Sequence, residues 1–243
     1  MSPRPLHANL HRMNEYANEP KAIIFDLDGT LIDSIADITE CANLVLSKYG
    51  FPTLPVGRFR ELVGDGFVNL TRKIIPESEL SPERIAMFID EYRELYRERW
   101  SCHTTVYDGI HELLDTLQEK GIALSVLSNK RDDFTKLCVA HFFPKVRFVD
   151  VRGERSDTPM KPAPDAALSI ARACNVTPGE CLFVGDSEID IETAKRAGMT
   201  GVGVLWGFRQ REIIEAAGAE YIVRQPSEIA AVKIKVRATL GCL

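Results

Sequence analysis

Two aspartates with one residue between them, Asp26 and Asp28, follow the apolar run Ala22-Ile23-Ile24-Phe25 and precede Gly29-Thr30. Like charges this close repel, and a bound cation is the usual reason to tolerate them. Gly29 lets the chain turn sharply, and Thr30 supplies a hydroxyl to hold the turn. Three further polar stretches lie downstream. Ser128-Asn129-Lys130 presents a hydroxyl and adjacent backbone N–H groups to a phosphate oxygen, or simply caps a helix. Lys161, in Met160-Lys161-Pro162-Ala163-Pro164, is a cation just ahead of a helix, a position where lysines are ordinarily solvated. Asp186 and Asp190 are about one helical turn apart and can face one site, although negative charge at a helix N-terminus is favourable without any ligand. Together these residues offer acids to a cation and donors to an anion.

The elements that must position them are legible as punctuation. Ala22 to Phe25 has no polar alternation and ends abruptly, as a strand buried on both faces does, and ligands of open parallel sheets collect at the carboxyl ends of such strands. From Tyr107 onward helix, glycine and strand repeat. Helices Asp108–Lys120, Ile189–Ala197 and Arg211–Ala217 each end at a glycine before strands Ile122–Leu127, Val202–Leu205 and Tyr221–Val223. Two more strands fit at Val146–Val151 and Cys181–Val184, with a helix over Asp165–Cys174 between them. This alternation implies an α/β fold, a parallel sheet with helices on both faces. All four polar stretches then fall at strand ends or in the loops beside them.

Between Ile35 and His103 the grammar is purely helical. Ile35, Ile38, Ala42, Val45, Leu46 and Tyr49 recur at helical spacing, and shorter helices fit Val56–Leu62 and Phe67–Ile75. A long helix runs from Pro82 to Trp100 with Ser81 as its N-cap. The expected organisation is a polar tail over residues 1–20, an α/β core over 21–34 and 104–243, and a small all-helical domain over 35–103 inserted after the first strand. Joined to the core at two crossings only, the insertion is expected to open and close as a lid. Its segment Leu62-Val63-Gly64-Asp65-Gly66 has two glycines opening a helix, where backbone N–H groups can approach an anion, with Arg72 and Lys73 further along. A plain inter-helix turn reads equally well. If the segment selects the substrate, Gly64→Val or Gly66→Val raises KM for a small phosphorylated acid and spares a generic aryl phosphate.

Composition excludes several classes. With 35 acidic and 30 basic residues in 243, the chain is mildly acidic, which argues against a general nucleic-acid or anionic-membrane surface. No window has the apolar length of a membrane span. The six cysteines contain no Cys-x-x-Cys pair, so neither a zinc site nor a disulfide scaffold is expected and reduced thiols of a cytoplasmic protein are. The histidines show no ligand spacing and are read as structural or surface residues. The first twenty residues contain no apolar h-region. A simple tail, a transit peptide and an alternative start at Met13 all fit them.

In type and order these motifs resemble the haloacid dehalogenase superfamily of phosphotransferases, whose first motif is Asp-x-Asp-x-Thr after a first strand. The resemblance covers residues 21–225. It implies a Rossmann-like core with a helical cap, Asp26 as nucleophile, Asp28 as general acid/base, and Ser128, Asn129 and Lys161 as phosphate ligands. It also implies Mg2+ held by Asp26, the Asp28 backbone carbonyl and Asp186, with Asp190 in support; Thr30 holds the turn beside them, and Gly64, Asp65, Gly66 and Arg72 are the cap residues expected at the substrate if their segment faces the core. Asp33-Ser34, Lys161-Pro162-Ala163-Pro164 and Trp206-Gly207 are similar to the phosphoglycolate phosphatase branch. Ile189 departs from it, where that branch commonly has Asn. An acid two residues after the nucleophile implies a phosphatase or mutase, because the dehalogenases lack it. The expectation is therefore a Mg2+-dependent phosphatase, monomeric or homodimeric, acting on a small phosphate ester such as 2-phosphoglycolate. A sugar phosphomutase and a silent binding module are the alternatives.

Overall fold

A computed structural model describes residues 16–235. In chain order β1 (Tyr16–Asn18) and β2 (Ala22–Phe25) lead to β3 (Ile32–Asp33), followed by helices α1 (Ile35–Lys48), α2 (Val56–Leu62), α3 (Phe67–Ile74) and α4 (Pro82–Arg99). The chain returns through β4 (Thr105–Val106) and then alternates α5 (Ile110–Glu119), β5 (Ala123–Arg131), α6 (Asp132–Phe142), β6 (Phe148–Glu154), α7 (Asp165–Ala173), β7 (Cys181–Gly185), α8 (Glu188–Ala197), β8 (Thr200–Val204), α9 (Arg211–Ala216), β9 (Tyr221–Val223) and β10 (Ile234–Lys235).

Six of these strands form one parallel sheet in the order β6-β5-β2-β7-β8-β9. Connections therefore leave β2 in opposite directions, and the crevice beyond its carboxyl end is the switch point where such sheets bind ligands. Both faces of the sheet are covered. Ile23, Phe25, Leu124 and Val126 pack with α5 residues such as Leu114 and Leu117. Ala22, Ile24 and Phe183 pack on the other face with Ala167, Ile170 and Ala194 of α7 and α8. The unbroken apolar run of β2 is what burial on two faces demands.

The helical segment has its own apolar centre, in which Val45, Leu46, Phe59, Leu70, Phe88 and Tyr92 meet, and it extends to Phe134 and Phe208 of the α/β part. Among the described residues, 35–103 contain no strand. Ser81 caps α4 by accepting from the Arg84 N–H at 3.1 Å.

Four features differ from the sequence-based expectation. Tyr16–Asn18, inside the expected tail, pair antiparallel with Ile234–Lys235, so the segment just before Pro20 is tied to the end of the α/β part; residues 1–15 lie outside the described range. The apolar run of β5 ends at Leu127, but the strand continues to Arg131, which pairs with Glu154 of β6. Edge pairing carries these polar residues in extended form without any apolar pattern. Helix α6 follows β5 directly, and its buried positions Phe134, Cys138 and Val139 were too sparse to announce it. The two crossings to the insertion are themselves paired, Ile32 with Val106 and Asp33 with Thr105. The five cysteines described are unpaired, and among the described residues no helix is long and apolar enough to cross a membrane.

That hinge is fastened by one acid. Asp37, fully buried in the first turn of α1, accepts from the His103 N–H at 3.0 Å, the Thr104 N–H at 2.9 Å and the Thr104 hydroxyl at 2.6 Å. Asp37→Ala strands these donors in a dry environment and is expected to cost about 3 kcal/mol in urea unfolding. A loss below about 0.5 kcal/mol, the ordinary scale of surface changes, would show that the linker does not depend on this carboxylate.

Candidate active site

At the carboxyl end of β2 the chain turns at Gly29, whose φ is 87°. A Cβ on Gly29 would lie 2.3 Å from Asp186 Oδ2, so only glycine lets this turn press against the acid arriving from β7. Gly207 closes the other side, where a Cβ would stand 2.3 Å from the Asp186 Cβ. Asp186 is then held by the Thr30 hydroxyl at 3.3 Å and the Phe208 N–H at 2.7 Å. Thr30 thus serves Asp186, and the Trp206 indole N–H in turn holds the Thr30 carbonyl at 3.0 Å.

Asp190, fully buried at the N-terminus of α8, completes a capping box with Ser187, whose N–H and hydroxyl donate to Asp190 Oδ2 at 3.1 and 2.6 Å. Its Oδ1 receives the Lys161 ammonium at 2.7 Å, and the same Nζ lies 2.8 Å from Asp26 Oδ1. Asp26, Asp186 and Asp190 each present a carboxylate oxygen within 4.8 Å of the others. Three acids against one ammonium leave negative charge in excess. Burial raises Asp26 to about 7, with Asp190 and Asp28 adding to the rise and Lys161 opposing it. Burial raises Asp186 to about 8, reinforced by Asp190 and Asp26. For Lys161 burial disfavours the charge, but Asp190 and Asp26 outweigh it and hold the ammonium above its ordinary value. A hard, oxygen-only set with excess negative charge fits a divalent cation such as Mg2+.

Asp28 faces elsewhere. Its carboxylate accepts from the Ser34 hydroxyl at 2.5 Å and from Lys130 Nζ at 2.8 and 3.0 Å. Lys130 had no role in the sequence reading. Two residues apart on an extended strand share a face, so the continuation of β5 puts Ser128 and Lys130 on the same side. Recognising this required knowing that the strand ran past Leu127. Ser128 lines the cleft with its hydroxyl accepting from the Lys130 N–H at 3.2 Å, which leaves its own proton to donate.

The side chain of Asn129 is spent within the protein. Its side-chain amide bonds the Lys161 carbonyl and the Gly64 carbonyl, each at 3.0 Å, and its Oδ1 accepts from the Lys161 N–H at 2.9 Å. Both amide protons are used, so a phosphate is left only the Asn129 backbone. The side chain instead sets Lys161 and ties the insertion to the core. Arg209, which no motif flagged, does the same from the other side. It is buried, pairs with Glu188 at 3.0 Å, and donates to the Val63 carbonyl at 2.7 Å and to that of Arg60.

A cleft of about 550 Å³ opens between the helical segment and the α/β part, with Asp26, Asp28, Ser128, Asn129 and Asp186 on its floor. Gly64 and Gly66 reach its wall; Asp65 and Arg72 do not. Asp65 pairs with Lys73 at 2.7 Å, and the exposed Arg72 bonds Asn69 at 3.3 Å. Helical phase turns both basic residues of α3 outward. A Cβ on Gly64 would lie 3.3 Å from Arg209 Nη2 and one on Gly66 3.1 Å from Met160 Sδ, and both glycines have positive φ, so valine at either position also disturbs the contacts between the insertion and the core.

Comparison with known proteins agrees with this arrangement. The model of the haloacid dehalogenase-like hydrolase family matches residues 23–204. The chain belongs to this family. A phosphoglycolate phosphatase of Pseudomonas putida is 30% identical over 217 residues, which cover 84% of this chain and 76% of that protein. One from Vibrio vulnificus (strain YJ016) is 32% identical over 209 residues, covering 84% and 92%. A crystal structure of a Lactobacillus delbrueckii subsp. bulgaricus protein, provisionally described as a phosphoglycolate phosphatase, superposes with a TM-score of 0.83 at 28% identity, covering 88% of this chain and 98% of that one.

The acid cluster makes a linked prediction. Asp26 and Asp186 have native values raised above the unfolded ones, so without metal their contribution favours folding at low pH and is lost as pH rises through about 7 to 8. Mg2+ must displace protons at pH 6 and meets ready carboxylates at pH 8.5. The gain in melting temperature from Mg2+ over EDTA is therefore expected to be larger at pH 8.5 than at pH 6. An equal or inverted gain would show that these carboxylates do not receive the ion.

Proposed function

We propose that this chain is a Mg2+-dependent phosphatase of small phosphorylated metabolites, with 2-phosphoglycolate the leading candidate, working through an aspartyl-phosphate on Asp26. The observation that carries this reading is the junction of Asp26 with Lys161 and two further buried acids, Asp186 on the cleft floor and Asp190 joined through Lys161, with Asp28 two residues on and separately held. The relatives named phosphoglycolate phosphatase support the choice of substrate.

A phosphate ester dianion repels a carboxylate nucleophile, so charge must be offset before they meet. Asp26 and Asp186, with the Asp28 carbonyl, would hold Mg2+, which supplies that offset. Lys161 and the Ser128 hydroxyl donate to the phosphoryl oxygens. Asp26 attacks phosphorus, the ester P–O bond breaks, and Asp28 gives its proton to the departing alkoxide. Water then attacks the aspartyl-phosphate while Asp28 takes its proton, releasing phosphate and restoring Asp26. The contacts with Lys130 and Ser34 fix where the Asp28 side chain stands for both proton transfers. The helical segment acts as a cap. The cleft exceeds what a two-carbon acid fills, and closure on the paired linkers reduces it and excludes water.

EDTA is expected to abolish release of free phosphate and Mg2+ to restore it, with no bisphosphorylated primer needed, which a mutase would require. Asp26→Asn is expected to remove turnover with the melting transition retained. Asp28→Asn should lose roughly two to four powers of ten in rate, and less on p-nitrophenyl phosphate, whose leaving group needs no proton. Full activity of Asp26→Asn would falsify the covalent route. The cap reading predicts different scattering profiles with and without trifluoromagnesate, and superimposable profiles would argue against closure.

A further inference from the structure

The core residues read only the phosphoryl group, so selection must come from the remainder of the cleft. Of the described cleft-lining residues, Arg93 and Tyr96 carry a buried donor with no hydrogen-bond partner, the Arg93 Nε–H and the Tyr96 hydroxyl. They are three apart on α4 and so lie on one face. Unpaired buried donors are costly and rare, and two of them on residues that line one cavity mark where a ligand's oxygens belong once those side chains turn to meet it.

We propose that α4 carries the site for the non-phosphate end of the substrate, with Arg93 and Tyr96 receiving its carboxylate. This rests on the phosphatase reading above and adds the residues that choose the substrate. Tyr96 is 2% exposed, and burial together with the negative Asp28 holds its phenol well above the ordinary value, so it stays a donor. Lys130 Nζ lies 4.9 Å from the Tyr96 ring centroid while bonded to Asp28, which puts Tyr96 near the group that protonates the leaving oxygen. In 2-phosphoglycolate the carboxylate is one methylene from that oxygen, which matches this adjacency.

Other charges along the cleft are engaged. Arg131 is paired with Asp133 and Arg155 with Asp157, each through two hydrogen bonds. Arg209 holds Glu188 and the Val63 carbonyl. Arg93 itself gives Nη1 to Asp90 at 3.0 Å and keeps a buried Nε without a partner. Glu154 is the competing acid, lining the same cleft under the influence of Arg131 and Arg93.

The test compares 2-phosphoglycolate with ethyl phosphate, which has the same reach and no carboxylate, on wild type, Arg93→Gln, Arg93→Lys and the near-isosteric Tyr96→Phe. The preference in kcat/KM for 2-phosphoglycolate is expected to fall about tenfold to a hundredfold in Arg93→Gln and about tenfold in Tyr96→Phe, chiefly through KM. Arg93→Lys should recover part of the loss. Equal losses on both esters, or an unchanged preference, overturn the proposal. So does a Glu154→Gln variant that reproduces Arg93→Gln on both esters, because Arg93 is then a closure contact. Calorimetric binding of 2-phosphoglycolate to Asp26→Asn, with and without Arg93→Gln, gives a readout without turnover. Weaker binding in the double variant supports the site even if hydrolysis is absent and the phosphatase reading falls, and unchanged binding removes the site even if hydrolysis is present. A wild type that hydrolyses both esters alike retains the phosphatase reading and overturns carboxylate selection.

Discussion

Three carboxylates and a single ammonium share one dry junction at the end of β2, and the rest of the architecture follows from holding them there. Bringing Asp26, Asp186 and Asp190 together costs desolvation and mutual repulsion, which neither helix propensity nor local packing supplies. The compensation comes from several directions. Lys161 bridges Asp26 and Asp190, the N-terminus of α8 favours Asp190 as well, and backbone and side-chain donors fix Asp186. Glycines at 29 and 207 let backbone crowd against Asp186 in place of side chains.

The helical segment and the α/β part are coupled through polar ties as well as through the apolar contacts of Phe134 and Phe208. Asn129 and Arg209 each donate to backbone carbonyls of the turn at residues 60–64, and Asp37 gathers the returning linker. Asn129 touches Lys161 and Gly64 with one amide, so the position of the charge clamp and the seating of the cap are linked. Hydrogen bonds of this kind break and reform at small net cost, because water replaces them when they open.

Much was legible in the chain itself. β2 announced itself by an apolar run too uniform for a half-exposed strand, and the glycines after α8 and α9 marked alternation that only a parallel sheet accommodates. Asp26, Lys161, Asp186 and Asp190 stood at strand ends and in the loops beside them, and the structure brings them together. Less visible were contributions that depend on partners far along the chain. Lys130 was an anonymous basic residue until β5 proved to continue past its apolar segment. Arg209 and Asn129 spend their side chains on backbone carbonyls, which carry no sequence signal. Arg72 looked suitable by charge and faced solvent by helical phase.

Periodicity, punctuation and the order of the acidic motifs determined by themselves that this is an α/β protein with a helical insertion and acids gathered at strand ends, because each of those signals is local. Which donors are left without partners, which face of α4 looks into the cleft, and which loop carbonyls Asn129 and Arg209 reach were decided only by tertiary structure. Those properties belong to pairs of residues more than 30 positions apart, and a side chain's free valence is defined only once every neighbour is in place.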